Sequence, residues 1–457
     1  MLTTINKEHF DSYIDQYEQL QDFKEPVKLF ENENLIILPR LFHINYPDQR
    51  INIIENDVTP NNIEFEFTRT LRPLQQECLT DILNIYHNNK YVNGTIKIYP
   101  GGGKTVLAIC IAQQLKMKTC VIVNSTTLKE QWIGEILSST NIKPTDIGII
   151  HKNIYDTNHP ITIVMIQTLI SKYKKNFNDI FKKIVQDNFE LVFYDEVHST
   201  SASEKYAKAS ILFPTKNIIG LSATPFPYGI QDILMRNTIG EIIFDKGDYE
   251  LIPEYYLIYY NSGLQSFEYI NEKTKKSTKL KNIVGRIKDL NMKKAIYNKC
   301  ILNSNKYIEL ILKYTKNLYA NNYVILILCE RVDQVQRIQN ELTNIGLPCD
   351  TKHGKVNNFN KNTTKILAAT TRSCGQGFNM PRISAIIIVS PYSGKISLFQ
   401  IGGRSLRYGI EGKNNPIILD LIDVDMPSIF LNNLDSKRSK INGEYKGCKI
   451  IDYHEKG

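Results

Sequence analysis

The sequence predicts an α/β protein with two tandem domains, each a parallel sheet flanked by helices, and a small N-terminal accessory domain. Apolar runs of strand length alternate with helical stretches twice along the chain. These runs are continuous rather than alternating in hydrophobicity, which is typical of parallel strands covered on both faces. With 457 residues and 42% hydrophobic content, the chain is long enough to bury two or three cores.

The domain boundaries are predicted from where this alternation starts and stops. The accessory domain is predicted at 1–65, the first α/β domain at 66–248 and the second at 301–435. The lysine-rich stretch EKTKKSTKLKN indicates an exposed connector, predicted at 249–300. The remaining residues, 436–457, are predicted to be a basic tail.

Individual elements are predicted from apolar runs and from helix-ending signals. The accessory domain is predicted to begin with a helix and to continue with short strands at LIILPRLF and IEFEF. The strands of the two α/β domains are predicted at the runs GTIKIYP, TCVIVNS, PITIVMI, ELVFYDE, NIIGLSA, YVILILC, KILAATT, AIIIVSP and NPIILDLID. One helix of the second domain ends before Gly346 and Pro348 and has five apolar residues on one face, Val332, Val335, Ile338, Leu342 and Ile345.

The composition indicates a soluble, intracellular protein with a polyanionic partner. The formal charge of +9 and the pI near 8.9 are mildly basic. The eight cysteines contain no CxxC pair, which argues against a zinc site and a disulfide framework. The N-terminus lacks the apolar core of a signal peptide, and no apolar run reaches the ~18 residues of a membrane helix, so no membrane partner is expected.

The segment IYPGGGKT has the pattern of a strand, a glycine-rich turn and a helix. Three glycines without Cβ atoms let backbone N–H groups converge on an anion, namely Gly101, Gly102 and Gly103. Lys104 is then placed to reach the β and γ phosphates of ATP, and the hydroxyl of Thr105 to ligate Mg²⁺. The full pattern has glycine six residues before the lysine, where this chain has Ile98. A helix-capping turn is the alternative, but three glycines in this context favour phosphate binding.

A pair of carboxylates follows the apolar strand LVFY further along the chain. In parallel sheets ligands gather outside the carboxyl ends of the strands, which is where Asp195 and Glu196 stand. Asp195 is predicted to hold Mg²⁺, and Glu196 to polarise the water that attacks the γ-phosphate. Two small hydroxyl residues in LSATP, Ser222 and Thr224, are predicted to bond this segment and to relay the state of the nucleotide. The alternative for Asp195 and Glu196 is that they lie in an ordinary solvated loop.

Taken together, DEVH, SATP and QIGGRSLR resemble the motifs of superfamily 2 helicases and translocases of the DExH type. The resemblance covers residues 66 to 425 and implies two RecA-like P-loop domains, Mg²⁺ and ATP as cofactors, and nucleic-acid-dependent ATP hydrolysis. It also implies that His198 of DEVH takes part in coupling with Ser222 and Thr224. The upstream segment LRPLQQE matches one that contacts adenine in this family, through Arg72 and Gln75.

The same resemblance assigns segments that touch the nucleic-acid backbone. They are STTLKEQW, IQTL and ATTRSCGQGFNMP, with contacts expected from Ser125, Thr126, Gln167, Thr168, Thr370 and Thr371. Hydroxyls at strand ends suit phosphate contacts. In the third segment Gly377 is expected to approach the nucleotide, and Asn379 stands where the family usually has aspartate. Trp132, the only tryptophan, is predicted to pack in the interior rather than to stack on a base.

The segment QIGGRSLR matches the family's QxxGRxxR pattern. Two arginines three residues apart lie on one face of a helical turn. By resemblance the second domain supplies them as arginine fingers: Arg407 stabilises the developing charge, and Arg404 and Gln400 contact the γ-phosphate.

The form of this last motif indicates the kind of nucleic acid. GRSLR is similar to the GRxLR of DNA translocases, among them the eukaryotic repair and transcription-factor helicase and the transcript-release helicase of poxviruses. The resemblance therefore favours DNA over RNA, transcription machinery as a partner and, for a viral protein, the host cytoplasm or virion as its location. The alternatives are an RNA helicase, a restriction-enzyme motor subunit and a non-enzymatic scaffold. The motifs do not define an oligomeric state.

Overall fold

A computed structural model describes residues 2–17, 20, 27–54, 58–197, 204–223, 230–246, 252–263, 268–270, 277–279, 289–354, 356–374, 378, 380, 382–390, 414–425, 434–445 and 447–455. The chain divides into two compact units, Met1–Gly247 and Asp248–Gly457. Each contains an eight-stranded sheet that is parallel except for one edge pair. The predicted fold class, two tandem RecA-like domains, is therefore confirmed.

The N-terminal residues form a four-stranded antiparallel sheet of order β2-β3-β1-β4. Its elements are β1 (Leu2–Asn6), α1 (Lys7–Ile14), β2 (Phe30–Glu31), β3 (Leu35–Leu38), α2 (Phe42–Asn45) and β4 (Ile51–Ile54). The predicted initial helix corresponds to α1, but an unpredicted strand, β1, precedes it and is a central, buried strand of this sheet. The strand predicted at IEFEF is also absent among the described residues; only an isolated bridge joins Phe67 to Thr140.

This small sheet packs directly on the first α/β domain. Apolar side chains of both, among them Phe42, Ile211 and Leu234, form one buried cluster. The Tyr173 hydroxyl donates to the Leu29 carbonyl oxygen at 2.5 Å. The accessory domain therefore shares a core with its neighbour.

The sheet of the first α/β domain has the order β12-β5-β11-β10-β6-β9-β7-β8. Its strands are β5 (Asn93–Ile98), β6 (Thr119–Val123), β7 (Ile147–His151), β8 (Ile154–Asp156), β9 (Ile161–Met165), β10 (Leu191–Asp195), β11 (Asn217–Ser222) and β12 (Ile242–Lys246). The helices are α3 (Pro73–Asn89), α4 (Lys104–Leu115), α5 (Thr126–Ser139), α6 (Ile166–Lys175), α7 (Phe177–Asp187), α8 (Glu204–Ser210) and α9 (Ile230–Thr238). All five predicted strands are confirmed, whereas β7, β8 and β12 were not predicted.

The sheet of the second unit has the order β18-β17-β19-β16-β20-β21-β13-β22. Its strands are β13 (Glu254–Tyr260), β16 (Ile325–Cys329), β17 (Asp350–His353), β18 (Val356–Asn358), β19 (Ile366–Thr370), β20 (Ala385–Ile388), β21 (Ile417–Asp423) and β22 (Ile450–His454). A separate hairpin joins β14 (Glu268–Ile270) to β15 (Ser277–Lys279). The helices are α10 (Leu290–Cys300), α11 (Asn305–Ala320), α12 (Val332–Asn344) and α13 (Leu434–Glu444).

The predicted helix α12 is confirmed, but its buried face is narrower than expected. Val335, Ile338 and Leu342 are buried, whereas Val332 and Ile345 are 41% and 48% exposed. Val332 is the first residue of α12, and Ile345 lies just beyond its last residue.

Parts of the predicted connector and of the predicted tail belong to the second sheet. The aromatic strand β13, inside 249–300, pairs in parallel with β21 on one side and with β22 on the other. In the tail, Lys437 forms an ion pair with the buried carboxylate of Asp420, which also accepts from the Tyr255 hydroxyl at 2.7 Å. These segments are corrected to structural elements because their aromatic and apolar side chains complete the core. The predicted boundaries between domains otherwise stay predictions.

Candidate nucleotide-binding site

The parallel strands of the first sheet bring the predicted motifs to one edge. Strands β5, β11, β10, β6 and β9 are neighbours in this order, so the loops at their carboxyl ends lie side by side. The glycine-rich turn follows β5, Ser222 ends β11, and Asp195 ends β10. Two of the three segments assigned to nucleic acid follow β6 and β9, the next two strands, whereas the third lies at the end of β19 in the second sheet. The nucleotide motifs and these two nucleic-acid segments therefore occupy adjacent halves of the same edge.

The three glycines of the turn are required for different reasons. Gly101 and Gly103 have φ angles of +88° and +81°, in the left-handed region that favours glycine. At Gly102 a Cβ atom would lie 2.3 Å from the Ile98 side chain. Helix α4 begins immediately afterwards, and the free N–H groups and dipole of a helix N-terminus bind anions. The geometry supports the predicted phosphate site.

Lys104, the first residue of α4, is folded back over the turn. Its Nζ donates to the carbonyl oxygen of Ile98 at 2.9 Å and of Tyr99 at 3.4 Å. Ile98, which stands where the full motif has glycine, is fully buried as the last residue of β5. Ile98 therefore adds an apolar side chain to the core, and its backbone carbonyl oxygen accepts the hydrogen bond from Lys104.

The LRPLQQE segment supports the turn from the start of α3. The Arg72 guanidinium donates to the Gly101 carbonyl oxygen at 3.2 Å. The Gln75 side chain is buried, accepts from the Arg72 N–H at 2.9 Å and donates to the Gly103 carbonyl oxygen at 2.9 Å. Both ends of this amide therefore bind backbone atoms in the structure. The contact of Gln75 with adenine stays a prediction.

Asp195 is a buried carboxylate bound at both oxygens. Oδ2 accepts from the Trp132 indole N–H at 2.8 Å, and Oδ1 accepts from the Glu196 N–H at 3.0 Å. Burial, and then the neighbouring charge of Glu196, raises the pKa of Asp195 to about 6, while the Trp132 hydrogen bond and the Lys104 charge oppose the rise. Glu196 has a φ of +49°, a strained conformation of the kind that clusters at functional sites.

The oxygen atoms at this edge suit a magnesium ion. The Asp195 carboxylate is buried next to a second carboxylate, so a divalent cation there would relieve their repulsion. With the hydroxyl of Thr105 it offers the hard oxygen ligands that Mg²⁺ prefers. Across the described ranges no group of three or more His, Cys, Asp or Glu could hold a metal. Mg²⁺ is usually bound by one or two protein ligands together with phosphates and waters.

Trp132 is buried, with 1% of its surface exposed, so its predicted packing role is confirmed. Its hydrogen bond to Asp195 was not predicted. The available signal was general: a buried indole N–H needs an acceptor. The sequence did not indicate which residue would supply it.

The residues assigned to nucleic acid fall into two groups. Thr126 and Gln167 are exposed, Ser125 caps α5 by accepting from the Leu128 N–H at 3.2 Å, and Gln167 donates to the Asn124 carbonyl oxygen at 2.7 Å. These residues lie at adjoining strand ends. The others are buried: the hydroxyl of Thr168 accepts from the Lys152 N–H, that of Thr371 donates to the Cys329 carbonyl oxygen, and Thr370 is 7% exposed. All six contacts stay predictions.

Six predicted site residues lie outside the residues that the structure describes. They are His198, Thr224, Gly377, Gln400, Arg404 and Arg407. Ser222 is described and is fully buried at the end of β11.

Two family models match the chain on either side of residue 248. The model of the type III restriction enzyme res subunit matches residues 68–227, and the model of the helicase conserved C-terminal domain matches residues 305–409. The chain belongs to the superfamily 2 helicases. The predicted family is confirmed, and the helicase is an ATP-hydrolysing enzyme.

Several curated proteins are similar to this helicase. A putative ATP-dependent RNA helicase L396 of Acanthamoeba polyphaga mimivirus is 28% identical over 91% of this chain and 75% of the relative. Probable helicase D10 of Escherichia phage T5 is 24% identical over 71% of this chain and 66% of the relative. The putative DNA 3'-5' helicase Rad25 of Halobacterium salinarum is 33% identical, but over 32% of this chain and 24% of the relative.

A solved structure is similar in fold. S. cerevisiae Dbp5 bound to RNA and ADP BeF3 has a TM-score of 0.56 and 10% identity, covering 84% of this chain and 89% of that chain. At this identity the likeness shows the fold alone. No helix in the described part of the helicase is long and apolar enough to cross a membrane.

Proposed function

We propose that this helicase is a DNA translocase that couples the hydrolysis of Mg-ATP to movement along a strand. One observation supports this above the others: the glycine-rich turn and the Asp195 carboxylate share a sheet edge with the segments after β6 and β9. A nucleotide and a nucleic acid bound at these positions would contact neighbouring loops of one rigid sheet.

The chain's own residues account for the chemistry. The N–H groups of the turn bind the phosphates, and Lys104 moves from the carbonyl oxygens of Ile98 and Tyr99 to the β and γ phosphates. Glu196 orients the attacking water and accepts its proton. Arg404 and Arg407 stabilise the charge that develops on the γ-phosphate. Bound Mg²⁺, held by Thr105 and Asp195, would neutralise phosphate charge.

DNA is the preferred substrate. The sequence GRSLR is similar to the form found in DNA translocases, and one similar relative is named a DNA 3'-5' helicase. RNA is the second candidate, because the mimivirus relative is named an RNA helicase. We also propose a role in transcription, most simply the release of transcripts, which agrees with the similarity to a transcription and DNA repair factor subunit of Schizosaccharomyces pombe.

The substrate is tested by ATPase rates at equal nucleotide concentrations of duplex DNA, single-stranded DNA and RNA. DNA is expected to stimulate hydrolysis and RNA to have little effect. The variant Lys104→Ala is the control, since it should keep its fold and lose turnover with every nucleic acid. Stimulation by RNA alone would contradict the DNA assignment, and turnover by Lys104→Ala would show that the turn has been misinterpreted. Release of labelled transcripts from stalled polymerase complexes tests the role in transcription.

A further inference from the structure

Trp132 connects the two halves of the sheet edge described above. It lies in α5, which follows β6, and its indole N–H reaches Asp195 at the end of the neighbouring strand β10, at 2.8 Å. The indole N–H is only a hydrogen-bond donor, so a buried indole needs an acceptor as its partner. Both the side chain of Trp132 and that of Asp195 are buried, at 1% and 5% exposure. The contact is therefore shielded from water.

The hydrogen bond restricts the orientation of the Asp195 carboxylate. Its two oxygens are bound by different elements, Oδ2 by α5 and Oδ1 by the backbone of Glu196. A carboxylate oxygen can accept more than one bond, so the hydrogen bond from the indole is compatible with a role as a cation ligand. Groups in this position behind a metal ligand orient it and tune its affinity.

The same helix begins in the segment assigned to nucleic acid. Ser125 caps α5, and Gln167 from the loop after β9 donates to the Asn124 carbonyl oxygen at 2.7 Å, immediately before the cap. Trp132 lies six residues beyond Thr126, roughly 9 Å along a helix that rises 1.5 Å per residue. A displacement of its N-terminus would move the indole as well, because a continuous hydrogen-bonded helix joins them.

We propose that Trp132 is a positioning residue through which nucleic acid bound at the start of α5 orients the Asp195 carboxylate for Mg-ATP. The inference rests on the proposed function and deepens it, since it names the contact through which the bound strand stimulates hydrolysis. Trp132 is not itself a catalytic residue.

The first test replaces the indole by a ring that cannot donate, Trp132→Phe. We expect the nucleic-acid-stimulated kcat to fall by about 10- to 100-fold and the Mg²⁺ concentration for half-maximal rate to rise, by analogy with other groups that support metal ligands. The stimulated rate should fall more than the unstimulated rate, because only the stimulated rate depends on the bound strand, and the KM for ATP should stay within about twofold, because the phosphate turn is untouched. Gly134→Ala, on the same helix with open space around its Cβ position, is the matched control and should behave as wild type.

The second test uses the wild-type chain, because Trp132 is its only tryptophan. Its emission, or the single ¹⁹F resonance after incorporation of 5-fluorotryptophan, is expected to change when Mg²⁺ and a non-hydrolysable ATP analogue are added. It should change again when DNA is added. This measurement on the wild-type chain tests the positioning role of Trp132 even if Trp132→Phe does not fold. A response to nucleotide without any response to DNA would overturn the proposal.

The outcomes separate this inference from the function on which it rests. Equal stimulation and equal Mg²⁺ dependence in folded Trp132→Phe and wild type would overturn the positioning role and leave the translocase intact. Absence of stimulation of the wild-type enzyme by every nucleic acid would overturn both.

Discussion

Gln75 and Gly103 are held in direct contact across the start of two helices. The Gln75 Nε2 donates to the Gly103 carbonyl oxygen at 2.9 Å, and a Cβ atom on Gly103 would lie 2.3 Å from that nitrogen. Gly103 also has a φ of +81°. The glutamine therefore fits against this residue because it lacks a side chain.

The substitution Gly103→Ala is expected to abolish ATP hydrolysis and to destabilise the chain by about 1–2 kcal/mol. A left-handed φ costs a residue with a Cβ atom roughly this amount, and the methyl group displaces the Gln75 amide from the turn. Steady-state ATPase rates and thermal unfolding measure the two effects. Gly134→Ala in helix α5 is the control, where alanine should stabilise by up to about 1 kcal/mol. Normal turnover in Gly103→Ala would show that the turn tolerates a side chain.

The substitution Arg407→Ala is expected to lower the rate of ATP hydrolysis by about 10³–10⁵. The affinity for a non-hydrolysable analogue should change far less, because an arginine finger acts mainly on the transition state. Arg407→Lys should recover little, since lysine keeps the charge and loses the planar fork. Single-turnover rates and analogue binding measure the two quantities. A loss of binding equal to the loss of rate would assign Arg407 to ground-state binding instead.

Arg40 is a buried cation between the accessory sheet and the first α/β domain. Its Nη2 donates to the Thr215 carbonyl oxygen at 2.7 Å, but among the described residues Nε and Nη1 have no hydrogen-bond partner. Burial lowers the pKa of Arg40 to about 10. A buried charge without a counter-ion is costly, so Arg40→Met is expected to raise the unfolding free energy by about 1 kcal/mol.

The matched control for Arg40 is Arg50→Met. Arg50 pairs with both oxygens of Asp48 at a partly buried position, so its loss should destabilise the chain. The hydrogen bonds from Arg50 lower the pKa of Asp48 to about 2. Their contribution is therefore present above about pH 4 and lost as the pH falls towards 2. Calorimetric unfolding as a function of pH measures both variants. If Arg40→Met instead destabilises the chain, the interactions of the arginine must outweigh the free-energy cost of burying its charge.

The lysines of 272–282 are expected to contribute to nucleic-acid binding. Replacing Lys273, Lys275, Lys276, Lys279 and Lys281 by glutamine should weaken binding and flatten the dependence of log K on log salt. The tail offers a contrast, since Lys437 is paired with Asp420 and its replacement should affect stability instead. Fluorescence anisotropy at several salt concentrations measures the slope. An unchanged slope would indicate that the connector lysines are ordinary solvated surface residues that do not contact nucleic acid.

Local sequence was sufficient to predict those elements whose pattern involves only neighbouring residues. A continuous apolar run followed by glycines or carboxylates requires only neighbouring residues, so β5 and β10 and the loops after them were predicted. The same approach missed β13, whose aromatic residues look like part of an irregular insert until they are placed beside β21 and β22. It also missed β1, because this strand has only five residues and the first helix follows it without a break.

Taken on its own, the order of residues was enough to specify the two-domain α/β fold and the helicase family, and it predicts the ATP-binding residues of the first domain. Folding alone settled that Trp132 meets Asp195, that Gln75 meets Gly103, and that β11 lies between β5 and β10. The physical reason is that all buried parallel strands have similar apolar sequences, so composition does not encode which strands are neighbours. That order follows from how the whole chain buries both faces of the sheet.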